Sequence, residues 1–214
     1  MAVISSAAFV LISAGQAHAV TDTDSGFTST TGVATTQTVR TSDPVCTAAL
    51  SAAGETGTCA ADVTTTVGSS AVASAALLSK DTNMTAADGT TLASASALGY
   101  TIWTRTWSQT QHGLYYVNWW EKHIGRIFFD KHGHVWSTTS TYGYKGYHNC
   151  GLGGGIGYSV VVKNCKTERR YDLSGLPISE WDYYQVHVIY KGIPIYASHN
   201  MHVNAYPSGA IYGH

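Results

Sequence analysis

Charge is scarce in this chain: 12 lysines and arginines and 13 aspartates and glutamates are spread over 214 residues. No basic stripe forms, which excludes nucleic acid as a partner. No Lys or Arg precedes Arg40. A permanent membrane span needs about 20 apolar residues in a row, and no run of that length occurs, so no membrane span is expected. The four cysteines include no C-x-x-C pair, which argues against a four-cysteine zinc site. A G-x-S-x-G nucleophile elbow is missing, and no repeat of fixed period runs through the chain. Aromatic residues are nearly absent from the first half. Of six Trp, fourteen Tyr and four Phe, only Phe9 and Phe27 lie before Tyr100. A segment so poor in large side chains buries too little surface to offset its ordering entropy, whereas the part after Gly99 can build a core.

What is present begins with an apolar run, Ala2 to Ala14, followed by Ala17-His18-Ala19. A dozen or so apolar residues before a small-x-small site reads as a signal peptide, residues 1–19, removed ahead of Val20. The chain is therefore expected to be secreted and extracellular. An even number of cysteines in an oxidising compartment favours disulfides. Three pairings are open; the local ones, Cys46–Cys59 and Cys150–Cys165, fit the compositional split best. Each would remove about 3 kcal/mol of unfolded-chain entropy. Charge is also split. Residues 1–99 hold two basic side chains, Arg40 and Lys80, against seven acidic ones, and the remainder is mildly cationic. That excess suits an ordinary solvated surface, or an anionic partner such as an envelope polymer.

Residues 20–99 read as a Thr/Ala/Ser-rich N-terminal arm carrying a Cys46–Cys59 loop. Within it, Val33 to Arg40 is β-branched and almost uncharged, strand material with no sheet of its own. Val33, Thr35, Thr36, Thr38, Val39 and Arg40 are the expected partner-binding residues, ordering by strand addition on another protein. Ala71 to Lys80 reads as a short helix capped by Ser69 or Ser70. Residues 100–214 read as seven or eight short antiparallel strands: Tyr100–Trp107, Leu114–Lys122, Ile124–Asp130, His134–Ser140, Gly155–Lys163, Tyr183–Tyr190 and Ile193–Val203. Lys191-Gly192 marks a two-residue hairpin, and Lys131-His132-Gly133 a three-residue one. The expected fold class is all-β, an antiparallel β-sandwich of immunoglobulin-like size behind an extended, low-complexity N-terminal arm.

Chemistry-bearing patterns are thin. His132 and His134, His199 and His202, with His148 or His187, are the only candidates for a metal site. His132 falls in a turn, and positions 199 and 202 of a strand face opposite sides. The histidines are therefore read as surface or hydrogen-bonded groups, and no metal and no cofactor is expected. A carboxylate pair for acid–base work would come from Glu121, Asp130, Glu168, Asp172, Glu180 and Asp182, with no spacing to select two. His123 and Arg126 read as a polar cluster in a solvated turn. Gly151 to Gly157 lacks the Lys-Ser/Thr of a phosphate loop and reads as a tight loop or bulge beside a disulfide. Trp119, Trp120, Trp136 and Trp181 are the candidate surface aromatics for stacking on sugars or anchoring a protein interface. No catalytic residues are assigned, and the chain is expected not to be an enzyme.

The stretch Tyr116 to Arg126 (YVNWWEKHIGR), with Gly146 to Cys150 (GYHNC), Gly157 to Val162 (GYSVVV), His199 to Asn204 (HNMHVN) and Tyr206 to Gly209 (YPSG), resembles a group of small secreted actinobacterial proteins. The layout is also similar to the small adaptor subunit of actinobacterial umbrella toxin particles. That likeness implies a β-sandwich whose extended N-terminal segment links a lectin-like subunit to a large repeat-bearing toxin subunit. The expected function is thus a secreted, non-catalytic binding and assembly module whose partners are other secreted proteins. A carbohydrate or cell-wall binder using exposed aromatics, and a stand-alone metalloenzyme or small toxin, are the alternatives.

Overall fold

The computed structural model describes residues 34–74, 81, 83, 101–154, 157–169 and 175–213. The expected signal peptide, Val33, residues 75–80 of the expected helix and Asp172 lie outside them. In chain order the elements are β1 (Thr35–Thr41), α1 (Pro44–Ala52), β2 (Ala61–Val67), β3 (Ala71–Val72), β4 (Trp103–Gly113), β5 (Trp120–Phe129), β6 (Val135–Trp136), β7 (Tyr147–Asn149), β8 (Tyr158–Arg169), β9 (Ile178–Tyr190), β10 (Ile193–Ala205) and β11 (Ile211–Gly213). Two antiparallel sheets pack together, as the strand pattern predicts. One follows the order β1-β2-β4-β5-β6, with β3 also on β4 and β7 on β5; the other runs β11-β10-β9-β8.

Period-two alternation builds the interior. Along β9, Ile178, Glu180, Asp182, Tyr184 and Val186 are buried while their neighbours are not. Val45 and Ala49 of α1 join Val117, Trp119, Tyr184, Val186, Ile195 and Met201 in one apolar cluster. Val67, Trp107, Ile127, Phe129, Ile178, Val203 and Ala205 form a second, toward the other end of the sheets. The β9–β10 hairpin turns at Lys191-Gly192, both at positive φ (49° and 81°). That is the backbone a tight right-twisted hairpin requires, and Gly supplies it without strain.

Three expectations are corrected. The described part of the supposed arm, residues 34–72, belongs to the sandwich: β1 pairs with β2 over seven residues and β2 pairs with β4 over seven more. Gly99 therefore marks no structural division among the described residues; neighbouring strands supply the apolar surface that residues 20–99 lack. A helix lies at Pro44–Ala52, and of the described residues in the expected 71–80 helix, Ala71–Val72 pairs with Trp103 and Thr104 as β3. Asp43 caps α1, its Oδ1 accepting from Val45 N (2.9 Å) and Cys46 N (3.1 Å), and Pro44 occupies the first helical position, where its missing N–H costs nothing. Finally, the two strands expected at Leu114–Lys122 and Ile124–Asp130 are one continuous β5 preceded by a turn, so residues 121–126 are strand and not loop. Both local disulfides, Cys46–Cys59 and Cys150–Cys165, are formed. Among the described residues no helix is long and apolar enough to cross a membrane.

Candidate functional site

The expected partner-binding residues form the outer edge of the larger sheet. All seven residues of β1 are exposed, and among the described residues β1 has a strand on one side only. One face carries a polar ladder: Thr36 and Thr38 share hydroxyl hydrogen bonds with Thr66 (3.1 Å) and Thr64 (2.9 Å), and Arg40 Nε pairs with Asp62 Oδ1 at 2.9 Å. Thr35, Gln37, Val39 and Thr41 lie on the other. The strand material thus orders on its own sheet, contrary to the expectation that it needs a partner's. Its second edge has no strand partner among the described residues.

The four candidate surface tryptophans do not make a platform. Trp119 and Trp136 are interior, at 0% and 1% exposure. Trp119 Nε1 donates to Asp43 Oδ2 at 3.1 Å, while Trp136 stacks on Phe128 and donates to the Tyr144 carbonyl at 2.9 Å. Trp120 is half-buried. Trp181 lies on the outer face of β9, but Tyr183 and His202 both stack on its ring, at 5.3 and 4.1 Å between centroids. Faces used in this way are not offered to a sugar.

The acids that could form a carboxylate pair do converge in part, and they do so inside the sandwich. Glu121 of β5 and Asp182 of β9 face one another between the sheets, both fully buried. Glu121 accepts from Gly151 N (2.7 Å) and Gly153 N (3.0 Å). This is what the glycine loop does: a Cβ on Gly153 would run into the Glu121 carboxylate and sit 2.5 Å from the Trp120 carbonyl oxygen. Asp182 closes no hydrogen bond of good geometry. Burial first, and then the Glu121 charge, push its carboxyl up to about 8. Glu180, also fully buried, accepts from Ser137 Oγ and Thr167 Oγ1, and burial pushes it up to about 8. The paired-carboxyl pattern is therefore real, but both members are enclosed. Asp130, by contrast, ties its own hairpin by accepting from the His132 and His134 amides (2.7 and 3.0 Å), and exposed Glu168 pairs with Lys166.

The histidines separate as well. His134 pairs with Asp130 at 2.6 Å, His187 meets Gln185 Oε1 at 2.7 Å, and His132 is exposed. His199 faces inward against Trp119 and Tyr184, and burial pulls it down to about 4. His202 faces outward against Trp181, so 199 and 202 do lie on opposite sides. The expected solvated turn around His123 and Arg126 is the middle of β5. Its alternation sends His123 inward, where it is fully buried, and Arg126 to the opposite face, where it pairs with Asp81 at 2.6 Å. His148 of β7 meets His123 across the strand pair, Nε2 to Nδ1, at 3.1 Å. No spacing signalled that meeting, because it depends on the β5–β7 register (Gly125 opposite His148). No family model, curated protein or solved structure matches the chain.

Proposed function

We propose that this protein is a secreted, non-catalytic binding and assembly module that joins another secreted protein through the free edge of β1. The observation that carries this reading is a strand exposed at all seven positions and, among the described residues, paired on one side only. Such edges are normally blunted by proline, bulges or inward-pointing lysines. β1 has no proline, its register with β2 is unbroken, and its one charge, Arg40, is engaged by Asp62. An extended segment of a partner can add to it, taking affinity from main-chain hydrogen bonds. The signal-peptide pattern and two disulfides support export. Enclosure of Glu121, Glu180 and Asp182 supports a non-catalytic role, since a substrate does not reach them. The resemblance to toxin-particle adaptors gives the specific form of the proposal, a link between subunits of an extracellular antibacterial complex.

The test places lysines on the edge. In a native purification from culture medium, the wild-type chain is expected to elute with a protein partner. A Gln37→Lys/Val39→Lys variant is expected to elute alone, with its thermal midpoint unchanged. A complex that survives the double substitution, or a wild-type chain that elutes as a monomer, sinks the proposal.

A further inference from the structure

A corner beside the Cys150–Cys165 bridge gathers donor atoms that edge pairing does not use. His123 Nε2 lies 2.7 Å from Gln109 Oε1, and Gln109 Nε2 donates in turn to Thr65 Oγ1 at 3.2 Å. An amide oxygen only accepts, so His123 Nε2 carries the proton and the neutral ring presents a lone pair at Nδ1. That Nδ1 is 3.1 Å from His148 Nε2, which is 3.4 Å from Cys150 Sγ. The donor atoms of these three residues all lie within 4.8 Å of one another. Cys165 is exposed and its Cα is 5.9 Å from that of Cys150.

A histidine–histidine hydrogen bond accounts for the 3.1 Å contact alone. The three clustered donor atoms match something larger. Zinc with nitrogen ligands near 2.0–2.1 Å and sulfur near 2.3 Å makes a tetrahedron with edges of about 3.3 Å (N to N) and about 3.6 Å (N to S). The His123–His148 and His148–Cys150 separations are each within about 0.2 Å of those edges, whereas Cys165 Sγ lies 3.9 Å from His148 Nδ1, the ring nitrogen turned away from this corner. Gln109 holds the His123 ring by its remote N–H, as outer partners of metal-binding histidines do.

We propose that reduction of Cys150–Cys165 turns this corner into a tetrahedral site for a zinc-type divalent ion, with His123 Nδ1, His148 Nε2 and the Cys150 thiolate as its three protein ligands and the fourth position open to water. A dithiol supplies the two electrons. Its thiolate attacks the exposed Cys165 Sγ, the sulfur–sulfur bond breaks, and the electron pair leaves on Cys150. The second thiol of the reductant then displaces Cys165 and closes as a cyclic disulfide. The incoming ion replaces the proton of the Cys150 thiol, which passes to solvent. With the bridge closed the Cys150 thiolate does not exist and two imidazoles remain, so the site responds to the loss of oxidising conditions.

Cobalt(II) serves as the probe for zinc, titrated into the full chain before and after dithiol treatment. The reduced protein is expected to bind one equivalent, with thiolate-to-cobalt charge-transfer absorption and tetrahedral visible bands. The oxidised protein and a Cys150→Ser/Cys165→Ser variant are expected to show neither. His148→Ala should abolish the tetrahedral bands, and Gln109→Met should weaken binding about 10–100-fold by releasing the His123 ring. Equal binding by oxidised and reduced protein, tetrahedral binding that survives His148→Ala, or a reduced chain that loses its strand signal by circular dichroism and does not regain it with the metal would each overturn the proposal.

Discussion

Trp119 stands where three parts of the molecule meet. Its ring is fully buried beside Tyr184 and His199, its Nε1 reaches the carboxylate that caps α1, and its indole fills the space a Cβ on Gly113 would need. Burial raises Asp43, while its three N–H donors favour the charged form. Removing the ring leaves both a cavity and an under-bonded buried carboxylate. Trp119→Ala is expected to cost about 3–5 kcal/mol in a urea unfolding curve. Trp119→Phe, which keeps most of the volume and loses the N–H, is expected to cost about 1–3 kcal/mol. Half-buried Trp120, its immediate neighbour, is expected to cost markedly less as alanine. A Trp120→Ala loss equal to that of Trp119→Ala would contradict the assigned faces.

At the scale of elements, β1 and α1 differ although they are close in sequence. The Thr–Thr pairs on β1 are exposed, and each contributes about 0.2–1 kcal/mol. α1 has nine residues and would be marginal in isolation. It persists because Asp43 caps it, Cys46–Cys59 closes behind it, and Val45 and Ala49 lie in the core. Removing residues 1–41 is therefore expected to leave a folded sandwich with β2 as its edge. Removing residues 1–60 strips the cover from one apolar cluster and is expected to abolish cooperative unfolding. Thermal circular dichroism and limited proteolysis of the two truncations check this; a stable sandwich after the longer cut would refute it.

The whole molecule is a sandwich with titratable groups enclosed between its sheets, which makes its stability depend on pH. Glu180 has a folded-state pKa of about 8, well above its unfolded value near 4.3. Its stabilising contribution is therefore complete below the unfolded value and is lost as pH rises toward 8. Asp182 acts in the same sense. His148 and His199, pulled down to about 4 by burial, act oppositely. Their contribution is complete above about 6.5 and is lost as pH falls toward 4. The two effects oppose one another between about 4.3 and 6.5, leaving the carboxyls alone above it. The thermal midpoint is expected to fall as pH rises from about 6.5 to 8, with Glu180 accounting for about 2 kcal/mol of the loss. Glu180→Gln should flatten that fall. A midpoint that rises over this interval, or an unchanged slope in the variant, would falsify the assignment.

Alternation in the strands after Tyr100 and the Lys191-Gly192 turn were enough to determine an all-β sandwich, because each depends on neighbours in sequence; cysteine spacing favoured the local disulfides but left three pairings open until the structure closed Cys46–Cys59 and Cys150–Cys165. The Asp43-Pro44 cap of α1 was equally legible, but alanine-rich composition concealed it. What tertiary structure alone decided is the fate of residues 35–72, whose small side chains fold by borrowing apolar surface from β4 and β10. It also decided which tryptophan faces inward, and the meetings of Glu121 with Asp182 and of His123 with His148. Those contacts depend on sheet register and on two sheets closing face to face, information carried by no single stretch of the chain.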